Sequence, residues 1–292
     1  MTSVGRTAES RPTVQAPVRE ATNGSRPVVS TVMVDVIPTV LERILESDPG
    51  EVIGVYLYGS STTTGPGPES DIDLLVVTRV SLTLEERRRL VATLLELSGW
   101  KGHAATFPEV ADRRPLDETS VVVDDLEPLR AAPRRDFQFG EWLRSEVVAG
   151  HLPHAEHDPD VVILLATALA SHRVLHGPSL DSLVDDVPVD LLRQAQIAAV
   201  PRLVDDLHDD SRNVLLTLAR ALHTVETGGI VAKDHAAERA AERVDADDAE
   251  LLRAAAREYR GEGRVEWDRR STRVSALARS LVQLIHRTAG AP

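Results

Sequence analysis

No cysteine occurs among the 292 residues, which excludes disulfides, thiol nucleophiles and thiolate metal sites together; any metal must rest on oxygen or imidazole. Lysine is nearly as rare, found only at Lys101 and Lys233, while arginine is plentiful. A lysine that falls in a useful place is therefore informative. Aromatics are sparse, with three each of Trp, Tyr and Phe, too few for the stacking platforms on which single-stranded nucleic acid lies. Positive charge is short as well: 33 Lys and Arg stand against 46 Asp and Glu, a formal charge of −13. Binding a polyanion by counterion release needs clustered basic residues, so nucleic acid is not an expected partner. No apolar run approaches the roughly 20 residues that cross a bilayer, and no signal-like apolar stretch opens the chain, so no membrane is expected and the expected location is the cytoplasm.

What remains is 42% hydrophobic and 27% charged, ordinary for a globular chain long enough for two modest domains. Residues 1–30 are rich in Ser, Thr, Pro, Gly, Arg and Ala without periodicity, and are expected to be a disordered tail. Patterned sequence begins near Met33, an alternative start. Val36, Ile37, Val40, Leu41, Ile44 and Leu45 share one helical face, stopped by Asp48-Pro49-Gly50. Val52–Tyr58 and Ile72–Val77 read as strands around a Gly/Pro/Ser/Thr loop, Leu84–Leu97 as a helix and Thr119–Val123 as another short strand. Beyond about residue 130 strand signals fade, and helices are expected near 136–149, 161–176, 189–207, 212–226, 232–244, 248–261 and 270–288. The predicted organisation is an α/β sheet domain over 31–186 and a five-helix bundle over 187–292, with Asp185-Asp186-Val187-Pro188 as a hinge.

The sharpest chemical signal is Leu57-Tyr58-Gly59-Ser60 followed, after ten intervening residues, by Asp71-Ile72-Asp73-Leu74-Leu75-Val76. Residues two apart on a strand share a face, so Asp71 and Asp73 place two carboxylates side by side, suited to hard divalent cations. Two acids opening a buried strand repel each other unless a cation compensates them. Gly59 lets backbone approach a phosphate and Ser60 adds a hydroxyl donor. The pattern describes a metal-dependent phosphate site, in which two ions roughly 4 Å apart assist the attacking and leaving oxygens.

This Gly-Ser loop with Asp-Ile-Asp on a strand resembles the polymerase-β-like nucleotidyltransferases. Arg134-Arg135-Asp136-Phe137-Gln138-Phe139-Gly140-Glu141-Trp142-Leu143-Arg144, Ser211-Arg212-Asn213-Val214-Leu215-Leu216-Thr217-Leu218-Ala219-Arg220 and Lys233-Asp234 resemble the bacterial streptomycin/spectinomycin adenylyltransferases. The resemblance runs from about residue 35 to the C-terminus. It implies a nucleotidyltransferase sheet domain followed by a five-helix substrate-binding domain, and transfer of AMP from ATP to a drug hydroxyl. It further implies that Ser60 and Ser70 contact the nucleotide phosphates and that Asp71, Asp73 and Asp117 hold Mg²⁺, with two ions expected. Asp117 doubles as the general base; Arg220 and Lys233 hold the triphosphate; Trp142, Asp206, Asp210 and Asn213 face a cationic aminocyclitol or aminoglycoside. Trp142 with Asp206 is the pair tied to streptomycin. A monomer is expected.

Asp117 departs from the family, whose base is a glutamate one methylene longer, and general-base catalysis depends on reach. Glu118 is adjacent, but strand alternation turns it away. The alternatives are transfer to spectinomycin alone or to another small hydroxylated cation, and a pseudoenzyme that binds nucleotide or drug without chemistry. His151, His154 and His157 are spaced like ligands, yet Gly150, Pro153 and Pro159 mark a loop, and solvated histidines are the expected reading.

Overall fold

The computed structural model describes residues 36–63 and 71–290. The expected tail, Met33 and Ser70 lie outside them. The strands are β1 (Val52–Tyr58), β2 (Ile72–Thr78), β3 (Leu116–Val122), β4 (Arg134–Arg135), β5 (Phe137–Phe139), β6 (Glu156–His157) and β7 (His172–His176). The α-helices are α1 (Ile37–Ser47), α2 (Ser60–Thr63), α3 (Leu84–Leu97), α4 (Arg144–Val148), α5 (Asp160–Ala170), α6 (Val189–Asp205), α7 (Ser211–Thr227), α8 (Lys233–Ala240), α9 (Ala246–Tyr259) and α10 (Ser271–Ala289).

Local chemistry sets several of these ends. Thr83 and Glu86 close a capping box at the start of α3, satisfying otherwise orphaned amides. Asp210 accepts from Asn213 N to cap α7, which ends on Gly228 at φ +78°, a conformation that suits glycine. Asp245 accepts from Asp248 N at the head of α9.

Five strands form one sheet in the order β5-β3-β2-β1-β7. β2 and β3 run parallel, linked through α3, and the other neighbours are antiparallel. Alternation gives the sheet two apolar faces. Ile72, Leu74 and Val76 pack with Val40, Ile44, Leu90 and Leu94 of α1 and α3. Tyr56, Leu75, Val77 and Val121 pack with Val161, Leu165 and Ala168 of α5. Buried on both sides, the central strands read as near-continuous apolar runs.

Helices α6 to α10 build a second core in which α7 touches each of the other four. Leu215, Leu216, Leu218 and Leu222 of α7 are all essentially buried, each worth about 1.5–3 kcal/mol of transfer from water. The bundle meets the sheet half where Val162 of α5 packs on Leu192 and Ala195 of α6. An Arg202–Asp160 ion pair lies alongside. Among the described residues no helix is long and apolar enough to cross a membrane.

Three expectations need correction. The helix placed near 136–149 is instead the short strand β5 and a turn before the five-residue α4, because Phe137 and Phe139 alternate into the sheet core and are fully buried. Strands do not stop at residue 130: His172–His176 is the β7 edge, which also ends α5 at Ala170 rather than near 176. β3 begins at Leu116, not Thr119, which brings Asp117 into the sheet.

Candidate active site

Register places the acids. Tyr58 of β1 lies beside Asp73 of β2, and Asp73 lies beside Asp117 of β3. All three side chains therefore share the face that carries Leu75 and Val121, in one row with strands about 5 Å apart. Asp71, two residues before Asp73, extends the row at the mouth of β2. The expected Asp71, Asp73 and Asp117 are thus brought together at one end of the sheet. Glu118 points to the opposite face, fully buried, where its Oε1 accepts a hydrogen bond from Ser120; alternation excludes it from the row.

Gly59 closes the row from above. It has φ +72°, and a Cβ there would come within 2.2 Å of Asp73 Oδ2. Only glycine lets the turn lie flat on that carboxylate. Ser60 follows as the first residue of α2, and its side chain is hydrogen bonded to Tyr259 at the end of α9.

The bundle brings cations against these acids. Lys233, at the start of α8, donates to Asn213 Oδ1 over 2.6 Å and feels Asp73, Asp71 and Asp210 through space. Arg220 of α7 is half-buried, with its Nε shielded from solvent and without a hydrogen-bond partner, and feels Tyr259, Asp73 and Tyr58. Arg114 acts on both Asp71 and Asp73.

The row is electrostatically overloaded. Burial and then Asp71 lift Asp73 to about 7. Burial, with Asp73 and Asp71, pushes Asp117 well above the usual carboxylate range. Asp71 is wetted on one side and crowded by protein on the others, and that crowding raises its carboxyl against the pull of Lys233. Burial, and next Arg220, lowers Lys233 to about 8. Asp117 Oδ1 is buried without a hydrogen-bond partner, a costly state that a cation relieves. Among the described residues no three His, Asp or Glu side chains close a ready-made metal cage.

Other expected residues sit around this centre. Asp210 joins the field on Lys233 and Asp71, and its carboxylate caps α7. The Asn213 amide oxygen is engaged by Lys233. Trp142 follows the β5 end and is 58% exposed. Asp206 is exposed at the α6–α7 corner, and among the described residues no hydrogen bond joins it to Trp142. His151 and His154 meet edge to face with centroids 6.2 Å apart, and His157 Nδ1 lies 3.0 Å from the Ala132 carbonyl. Tyr259 and Arg114 carry no local sequence pattern, and Tyr58, although inside the glycine motif, has no role assigned by it; the scarcity of aromatics is the one signal that sets the two tyrosines apart.

Comparison with known proteins agrees with this geometry. Residues 40–104 match the polymerase beta nucleotidyltransferase model and residues 182–283 the aminoglycoside adenylyltransferase C-terminal domain model. Asp117 and Trp142 lie between the two. An Escherichia coli aminoglycoside (3″)(9) adenylyltransferase is 38% identical over 85% of this chain and 90% of its own length. A Staphylococcus aureus spectinomycin 9-adenylyltransferase is 37% identical over 78% of this chain and 85% of its own. An Enterococcus faecalis spectinomycin adenyltransferase, solved with ATP and spectinomycin, superposes with a TM-score of 0.78 at 28% identity, covering 86% of this chain and 98% of that one. Likeness of this extent, carried by both halves of the molecule, makes the chain a member of the aminoglycoside adenylyltransferase family and an enzyme of nucleotidyl transfer.

Proposed function

We propose that this enzyme transfers AMP from ATP to a hydroxyl of spectinomycin, streptomycin or both, in a Mg²⁺-dependent reaction that inactivates the antibiotic. The observation that carries the reading is the row Asp71, Asp73 and Asp117, three carboxylates crowded together against only partial neutralisation by their cations, with Asp117 Oδ1 buried and without a hydrogen-bond partner. Such an arrangement is unstable alone and suited to added positive charge. The relatives are named for spectinomycin and for aminoglycosides as acceptors, which supports the class of substrate.

Asp71 and Asp73, with Asp117 beside them, would hold Mg²⁺ together with phosphate oxygens. When bound, the ion would draw charge from the α-phosphate and the leaving oxygen. Gly59 and Ser60, with Ser70, receive the phosphates. Lys233 and Arg220 hold the triphosphate and neutralise pyrophosphate as it leaves. Asp117 accepts the proton of the drug hydroxyl as that oxygen attacks the α-phosphorus in line. Its high proton affinity suits a base, and cationic charge arriving in the row favours its ionised form. On the acceptor side, Asp206, Asp210 and Asn213 offer oxygens to ammonium or guanidinium groups. Trp142 offers an aromatic wall, and with Asp206 it supports streptomycin as an acceptor.

Incubation with ATP, Mg²⁺ and each drug, followed by mass analysis, tests this reading. One AMP added to either drug is expected. Modification of spectinomycin alone would remove the role given to Trp142 and Asp206. Drug binding by calorimetry without pyrophosphate release would instead mark a binding protein that has lost its chemistry.

A further inference from the structure

The Gly140-Glu141-Trp142-Leu143-Arg144 motif contains more than the aromatic wall. Glu141 and Arg144 are 5% and 3% exposed, although both are ionisable and neither touches the acidic row. We propose that Glu141 is a positioning residue for the acceptor side of the reaction. Its carboxylate ties the Trp142 turn and the Asp117 end of β3 to one buried node.

The bonds run as follows through the fold. Arg144 Nε donates to Glu141 Oε2 over 2.8 Å, and Arg144 Nη2 to Oε1 over 2.9 Å. Ser98 donates its hydroxyl to Glu141 Oε1. The same Ser98 oxygen accepts from Leu116 N over 3.0 Å, one residue before Asp117. His103 Nδ1 lies 2.9 Å from Glu141 Oε2. Arg144 also donates to the Leu95 and Ser98 carbonyls, which holds the end of α3 in place. Through the Ser98 hydroxyl, a single carboxylate in the turn that leaves β5 is thereby linked to the start of β3. Despite burial its carboxyl is lowered by Arg144, Ser98 and His103, so the node is ionised in use.

The geometry of Trp142 completes the argument. Glu118 pairs with Phe139, so the antiparallel register carries Gly140 to the side of Asp117. A Cβ at Gly140 would lie 2.2 Å from the Trp142 ring. The indole therefore rests on the Gly140 backbone, beside the strand that carries the base. Glu141 follows Gly140 directly, and its bonds fix the angle at which the turn leaves the sheet. An error of 1 Å in a reacting group costs on the order of a hundredfold in rate, so one anchor for both the base strand and the acceptor wall has kinetic value.

This inference rests on the adenylyl-transfer reading, and two variants with two readouts separate the outcomes. Ser98→Ala cuts the link to Leu116 N and keeps the Glu141–Arg144 pair. It should lower kcat about tenfold, with KM for ATP and for the acceptor each within about twofold of wild type. Glu141→Gln loosens both arms. It should lower kcat and raise KM for the acceptor about tenfold, leaving KM for ATP unchanged. Kinetics unchanged below the melting temperature in both variants, or KM values that rise together for both substrates, would show a purely structural node and overturn the proposal. The second readout needs no turnover. In a chain with Trp100→Phe and Trp267→Phe, Trp142 is the sole indole, and Glu141→Gln should lower its fluorescence anisotropy. Unchanged anisotropy overturns the proposal. Lowered anisotropy in a chain that transfers no AMP overturns the functional reading and leaves the anchoring intact.

Discussion

The sheet half and the helical half contribute opposite charges by opposite means. On the sheet, Asp73 and Asp117 sit on short side chains in strands hydrogen bonded on both sides, so their separation is set by the backbone ladder. In the bundle, Lys233 and Arg220 reach in on long side chains from α8 and α7. In the proposed reaction the rigid acids would define where phosphorus and metal lie, and the flexible cations would follow charge as it moves from triphosphate to departing pyrophosphate. Neither half is electrostatically comfortable alone, for Asp73 is lifted to about 7 and Lys233 is lowered to about 8.

The comparison breaks most severely at its centre. Asp73→Asn should reduce AMP transfer by roughly 10³-fold or more, measured by pyrophosphate release, while the metal-free protein melts no lower than wild type. The sign follows from linkage. The folded-state value of Asp73, about 7, is above its ordinary value of 3.8. Its contribution to stability is therefore fully present below about pH 4 and is lost as pH rises through about 7. Removing the titration should lift the melting temperature at pH 8 without divalent cation, and a fall of several degrees would contradict the overload.

Asp117 sharpens the sheet side next. Asp117→Asn should cost about 10²–10⁴-fold in kcat, the usual span for a general base. Asp117→Glu, which restores the longer side chain of the family, should stay within about tenfold of wild type. Equal loss in both would deny Asp117 the proton.

On the bundle side, burial and the neighbouring Arg220 lower Lys233 to about 8. kcat/KM for ATP should therefore fall above about pH 8, and Lys233→Arg should move that limb upward, because guanidinium holds its proton. An unchanged limb would assign it to another group.

The smallest effect tests the far face of β3. Burial raises Glu118 to about 8, well above its ordinary 4.5, so its contribution to stability is fully present below about pH 4.5 and is lost as pH rises through about 8. Glu118→Gln should raise the melting temperature by a few degrees at pH 9, change little at pH 4, and leave kcat close to wild type.

How legible the protein was in its sequence depended on the range of the interactions involved. Asp71 and Asp73 were legible because i, i+2 spacing on an apolar strand is local, whereas Lys233 was placed by the family resemblance, with the scarcity of lysine only drawing attention to it. The helices of the bundle were legible from their apolar stripes. β5 and β7 were not: Phe137–Phe139 is too short to show a period, and β7 is an exposed edge whose only reason to be extended is its partner β1. The bond between Tyr259 and Ser60 joins residues at opposite ends of the chain, which no spacing rule reports.

Composition and local pattern by themselves determined an acidic, cysteine-free α/β-then-α chain with a glycine turn and a carboxylate pair, since propensity and alternation act over a few residues. The tertiary structure alone decided that Asp117 stands beside Asp73, that Lys233 and Arg220 neutralise them only in part, and that Glu141 is linked through Ser98 to the start of β3. Those outcomes come from strand register and helix docking, where desolvation and charge pairing act between residues far apart in sequence.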